Sequence, residues 1–244
     1  DRDDILRIVR DFGQAARRCR DGGLDGLEVL AHGHLVGQFW SPHYNQRTDD
    51  FGGSLENRCR FGLLVFEEMR RQAGADFIMG LRTVIGEGFE DGLSDDECLE
   101  INLHHQNSGL VDFFNVNYGR IDTALGVASL MPGMQLGLSP NLVRAGQFKR
   151  EVKLPVFHAC RITDMATARH AIRDGLVDMI GMTRAHIADP HIVNRIAAQQ
   201  EERIRPCVGA TYCSWQRRCI HNPSIGREAE LPHDVESAAR TRKV

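Results

Sequence analysis

Leu154-Pro-Val-Phe157-His158-Ala-Cys-Arg161-Ile-Thr-Asp164 and, further on, Leu176-Val-Asp-Met-Ile180-Gly181-Met-Thr-Arg184 are two versions of one pattern. Each is a short apolar run followed by small residues and an arginine. Runs without polar alternation suit strands of a parallel sheet covered on both faces. Small residues let backbone N–H groups approach an anion, and the helix start that follows adds positive potential. Arg161 and Arg184 can supply charge-assisted hydrogen bonds. One such arginine alone reads as a surface ion pair; two at matching places in adjacent loops favour a phosphate. Phosphate loops after the last two strands are what a (β/α)₈ barrel predicts.

Three earlier runs resemble these strands: Asp25–Leu30, Phe77–Leu81 and Leu110–Phe114. Amphipathic helices alternate with them. Ile5, Val9, Phe12, Ala16 and Cys19 fall at helical spacing, and Gly22-Gly23 closes that helix. A second helix starts near Ser54 with Phe61, Leu64, Val65 and Met69 on one face. A third starts near Thr163-Asp164, places Met165, Ala168 and Ile172 together, and stops at Gly175. An open doubly wound sheet is the competing architecture, but no glycine fingerprint follows the first strand. The expectation is an α/β fold, a TIM barrel with its C-terminal five βα units present over residues 1–200 and its first three absent. A cysteine-containing extension, residues 201–244, follows as a linker.

The chain has 244 residues, 42% of them hydrophobic, enough for a full core, and a net charge of -3. With no basic run, nothing suggests nucleic acid or an anionic membrane as partner, and no apolar run spans a bilayer. The acidic start, Asp1-Arg2-Asp3-Asp4, lacks the features of a signal peptide. Seven cysteines, an odd number, read as reduced thiols in a cytoplasmic protein.

The strand ends hold the remaining chemistry. Arg82, read as the end of the strand Phe77–Leu81, points into the barrel mouth, where a fixed cation stabilises charge on a reduced flavin ring. An ion pair with Glu87 is the equal alternative. The first strand ends in Ala31-His32-Gly33-His34. Two histidines so spaced can polarise a substrate, move protons or, with His158 as third ligand, bind a metal. Each taken singly fits equally well as a hydrogen-bonded wall residue.

The stretch Gln38-Phe-Trp-Ser-Pro42…Asn45-Gln-Arg47-Thr-Asp49-Asp-Phe-Gly52-Gly53-Ser54-Leu-Glu56-Asn57-Arg58 resembles the segment after the fourth barrel strand of the old yellow enzyme family. The branch it resembles is that of trimethylamine dehydrogenase and dienoyl-CoA reductase. Arg161-Ile-Thr-Asp and Gly181-Met-Thr-Arg184-Ala-His-Ile-Ala-Asp-Pro190 continue the match in order, so the resemblance covers nearly the whole chain. It implies an FMN-dependent oxidoreductase. Arg82 then faces the flavin ring; Ala159, Cys160, Arg161, Gly181, Thr183 and Arg184 hold the FMN phosphate; His32 is the active-site histidine. Three departures stand out. Val29 or Leu30 replaces a preceding histidine, His34 stands where alkene-reducing relatives place a proton-donating tyrosine, and Arg120 stands where trimethylamine dehydrogenase has an aspartate. The tail resembles the branch's iron–sulfur loop, implying Cys207, Cys213 and Cys219 as ligands of a [4Fe–4S] cluster. Ala210 replaces the middle ligand and the spacer before Cys219 is short, so a linker that keeps the loop without the metal is the alternative. The end at Arg242-Lys-Val244 resembles the point where longer members begin a dinucleotide-binding domain carrying FAD or NAD(P)H.

The expected activity is hydride transfer between FMN and a small-molecule substrate. An N-methylated amino acid or amine undergoing oxidative demethylation suits Arg120 and the lost tyrosine; NAD(P)H-dependent reduction of an activated alkene is the alternative. Two rivals of other classes are a flavin-free binding or scaffold remnant and a phosphate-recognising lyase or isomerase. A homo-oligomer is compatible with all of these.

Overall fold

Asp1 starts the first helix by accepting from the Asp4 amide, and Gly22 caps its end. Helix α1 (Arg2–Asp21) buries Ile5, Val9 and Ala16, the face its spacing predicts. The computed structural model describes residues 1–234 of the chain. After α1 come β1 (Gly26–Leu30), α2 (Leu35–Trp40), α3 (Leu55–Ala73), β2 (Ile78–Val84) and α4 (Asp95–Asn107). Then follow β3 (Phe113–Asn117), α5 (Ala124–Leu130), α6 (Leu142–Glu151), β4 (Val156–Ala159), α7 (Met165–Arg173) and β5 (Met179–Gly181). The short helices α8 (Thr183–Ala188), α9 (Ile192–Ala197) and α10 (Tyr212–Gln216) complete the order. Side-chain caps set several starts: Ser54 accepts from the Asn57 amide at α3, and Ser94 with Glu97 forms a reciprocal capping box at α4.

All strands are parallel and lie in the order β1-β2-β3-β4-β5. A doubly wound sheet reverses its strand order at a switch point; this sheet has none, so it is an arc of a barrel. One face packs on the helices. Val29, Met79, Leu81, Phe114, Val116 and Val156 are buried there against a layer that includes Phe61, Val65, Phe66 and Met69 of α3. Each such phenylalanine contributes about 1.5–3 kcal/mol on burial. The opposite face is the barrel interior. Phe113 and Phe157 stack across it at 4.5 Å, while Ile78 and Met179 stay 47% and 53% exposed among the described residues.

Every strand starts one to three residues later than its apolar run suggests. The apolar residues just before the strands, Phe77, Val111 and Val177, are buried in the approach turn, so burial precedes the ladder. Arg82 therefore lies within β2, which runs on to Val84, rather than at its end. The third helix also differs in its face. Ala168 and Ala171 of α7 are buried, whereas Ile172 is 45% exposed. Of the described residues, no helix is long and apolar enough to cross a membrane.

Residues 201–234 pack on α8 and α9 through a buried charge network. Asp189, with no exposed surface, accepts from Arg195 Nη1 at 2.5 Å and from the Arg205 amide at 2.8 Å. Arg195 Nη2 reaches Asp234 at 2.5 Å, and Asn222 donates to the Ile187 carbonyl at 2.8 Å. The expected approach to a further domain at Arg242–Val244 lies outside the described residues.

Candidate active site at the strand ends

Alternation along β2 puts Arg82 on the interior face with Ile78 and Gly80. Asn117 closes β3, and Ala159 and Gly181 are register partners at the ends of β4 and β5. A Cβ on Gly181 would meet Ala159 Cβ at 2.7 Å, so only glycine allows these strand ends to approach so closely. Beyond them come the loop that carries Arg161, at φ +54, and the first turn of α8 with Arg184, whose Nη1 donates to the Pro132 carbonyl at 2.9 Å. A non-glycine residue in that left-handed region costs of order 1–3 kcal/mol, a strain typical of functional sites.

These parts enclose a cleft of about 310 Å³. Arg82, Ala159, Cys160, Arg161, Gly181, Thr183 and Arg184 all line it, so every residue expected to hold the cofactor reaches one place. No carboxylate lines it among the described residues. Three donors beside it, Arg82 Nε, Arg161 Nε and Asn117 Nδ2, are buried without a hydrogen-bond partner. A buried unpaired donor costs about 1–3 kcal/mol, so the cleft is built for acceptors. Arg82 makes no ion pair with Glu87, which instead accepts from the Ser41 hydroxyl and the Leu93 amide. Burial pushes the Cys160 thiol up, keeping it neutral.

His32, His34 and Arg120 lie outside this cleft's lining. His32 is 3% exposed, and its Nε2 donates to the Gly119 carbonyl at 2.7 Å. Burial lowers its pKa, so the ring is neutral with a bare Nδ1. His34 is exposed at the start of α2. His158 is not a loop residue: it sits in β4, 1% exposed, donating from Nδ1 to the Val116 carbonyl at 2.9 Å. Of the roles open to these histidines, a metal site shared by His32, His34 and His158 is therefore not formed. Among the described residues no three or more metal-ligating side chains come together around one ion.

Arg120 is a knot of the barrel mouth that sequence reasoning saw only in part. It is 5% exposed, bonds Asp91 at 2.9 Å and Asp122 at 3.1 Å, and lies over the Phe89 ring at 4.3 Å. His43 touches the same two carboxylates, at 2.6 and 3.5 Å. Burial and the adjacent Asp122 push Tyr44 up to about 12. Asn117, His43, Tyr44, Asp91 and Asp122 were missed because they stand singly in the sequence; only the fold makes them neighbours.

Cys207, Cys213 and Cys219 border one pocket, with Ala210 and Thr211 between them and Arg184 at its edge. Burial raises the Cys207 thiol. A cubane takes four thiolates; three cysteines border this pocket without being grouped to hold one metal ion, and an alanine stands at the fourth place, so the residues do not fit a fully cysteine-held cluster.

Residues 1–203 match the family described as NADH:flavin oxidoreductase / NADH oxidase. The chain is 54% identical over 243 residues to the multifunctional alkene reductase/demethylase OYE of Caballeronia cordobensis. It is 46% identical over 247 residues to the "Probable N-methylproline demethylase" of Rhizobium meliloti (strain 1021). Each alignment covers 99% of this chain but 36% of the relative, so the chain spans about a third of their length. The solved 2-naphthoyl-CoA reductase complex superposes with a TM-score of 0.88 at 26% identity, over 98% of this chain and 37% of that one. By sequence and by fold, the chain belongs to the NADH:flavin oxidoreductase / NADH oxidase family.

Proposed function

We propose that the cleft holds FMN and that the full-length protein oxidises N-methylated amino acids or amines, releasing the methyl group. The observation that carries this reading is the set of donors left unpaired, among the described residues, around a cleft that none of their carboxylates lines. Arg161, Arg184 and the Gly181 amide suit the phosphate, while Arg82 and Asn117 suit the ring's oxygen and nitrogen acceptors. When bound, the flavin supplies the hydride acceptor.

This chain's residues do the rest. Arg82 offers its charge where the reduced ring carries negative charge. His32, pinned through Nε2–H on Gly119, has only Nδ1 free to accept a proton from the substrate amine; His34, exposed at the mouth, is a second acceptor. Arg120 orients the carboxylate of an amino-acid substrate. No step runs through Cys207, Cys213 and Cys219, because among the described residues their pocket lacks a fourth cysteine.

Alkene reduction is the second reading, favoured by the relative whose name joins alkene reductase and demethylase. We read residues 1–200 as barrel and 201–244 as extension, a division supported by the family match ending at residue 203. The seven free thiols support a cytoplasmic location. The test is anaerobic mixing of the full-length protein with dimethylglycine, N-methylproline, trimethylamine and an enone donor–acceptor pair. Bleaching of the flavin by the N-methylated compounds is expected. Turnover of the enone pair with no bleaching by any N-methyl compound would overturn the demethylase reading.

A further inference from the structure

We propose that Asp91 and the substrate carboxylate compete for one edge of the Arg120 guanidinium, so that Asp91 sets the preference between zwitterionic and purely cationic amines. The inference rests on the reading of this mouth as an N-methylated amino-acid site. Arg120 is 5% exposed, with Nε held by Asp122 and Nη1 by Asp91, so a carboxylate can take the Nη1–Nη2 edge in two bonds only if Asp91 gives up Nη1. Its two partners differ. Asp122 is two residues away on the same loop and its side chain is 27% exposed, whereas that of Asp91 is 59% exposed. Asp91 is therefore the outward cover of Nη1, and its departure opens that edge to solvent and ligand.

The segment that carries Asp91 runs between two glycines. Gly88 has φ +74, and a Cβ on Gly92 would meet Glu87 Oε2 at 2.4 Å. Glu87 roots the loop through the Ser41 hydroxyl and the Leu93 amide, and beyond that root Asp91 is held by Arg120 and by His43 Nδ1 at 2.6 Å, so it keeps one cationic partner when Nη1 is taken by the substrate.

Charge balance favours exchange over simple addition. One carboxylate replaces another on Arg120, so no buried charge is left unpaired, the situation that is expensive in a protein interior. Asp122 stays in place, within reach of His43, to face the substrate ammonium. A carboxylate and an ammonium one carbon apart thus meet an arginine and an aspartate already held side by side. Trimethylamine, with no carboxylate, has nothing to exchange.

The experiment uses the full-length, flavin-loaded protein and its Asp91→Asn and Asp91→Ala variants. Proline and prolinamide serve as probes that lack the oxidisable methyl, with binding read from the perturbed flavin absorbance. KM is measured for N-methylproline and trimethylamine. Removing an internal competitor should tighten proline and lower the N-methylproline KM by about threefold to tenfold, with prolinamide and trimethylamine unchanged. Unchanged or weakened proline binding in both variants, or equal shifts for proline and prolinamide, would overturn the proposal. If the parent oxidises trimethylamine but no N-methylated amino acid, the substrate reading fails by itself. The comparison of proline with prolinamide still decides the role of Asp91.

Discussion

Replacing Arg184 with alanine separates phosphate recognition from ring recognition. Arg184 lies in the first turn of α8 beside the strand end at Gly181, and among the described residues its hydrogen bond goes to the Pro132 carbonyl at 2.9 Å. A charge-assisted bond from it to the FMN phosphate is worth about 1.5–3 kcal/mol, roughly a tenfold to hundredfold loss of affinity on truncation. The assay is fluorescence titration of flavin-stripped full-length protein with FMN and with riboflavin, which lacks the phosphate. FMN should weaken in Arg184→Ala by the stated factor while riboflavin binds parent and variant alike. Equal FMN affinity in both would refute the assignment. An equal loss for riboflavin would show that Arg184 holds the loop rather than the phosphate.

Gly181→Ala places a methyl 2.7 Å from Ala159 Cβ and should cost about 1–3 kcal/mol in urea unfolding; adding Ala159→Gly should restore most of it. Asp189→Ala leaves Arg195 Nη1 and the Arg205 amide without their shared acceptor, while Asp234 still pairs Arg195 Nη2, and should cost about 1–3 kcal/mol, with protease sensitivity appearing first in residues 201–234. His105, fully buried, has its pKa lowered to about 4 by burial, against the opposing pull of its bond to the Ile101 carbonyl. The unfolded chain therefore binds this proton first. The stability is fully present above about pH 6.5 and is lost as pH falls toward 4, by about 3 kcal/mol at the limit. His105→Gln should flatten that part of the pH–stability curve, and an unchanged slope would contradict the assignment.

The parallel barrel arc was legible because its evidence is repeated. Five apolar runs separated by helical periodicity leave few topologies, and the paired phosphate loops chose between them. The residues that line the cleft were legible for the same reason, since the segments ending in Arg161 and Arg184 share one local pattern. Strand starts were misplaced because Val111 and Val177 are buried before the ladder begins, and an apolar letter does not distinguish a turn anchor from a strand. The face of α7 was misread because alanines, not Ile172, fill the close contact. His158 looked like a loop ligand only because its strand was ended too early. The Arg120 knot stayed hidden for a different reason. Its partners His43, Asp91 and Asp122 come from three loops, and no sequence spacing links them.

The most direct test of the central claim is to identify what the full-length protein carries in this cleft. Heat-released chromophore should have flavin absorbance and contain FMN, with occupancy reduced in Arg161→Ala and in Arg184→Ala. A colourless protein that takes up no FMN on reconstitution, or one whose FMN occupancy ignores both substitutions, would contradict the account.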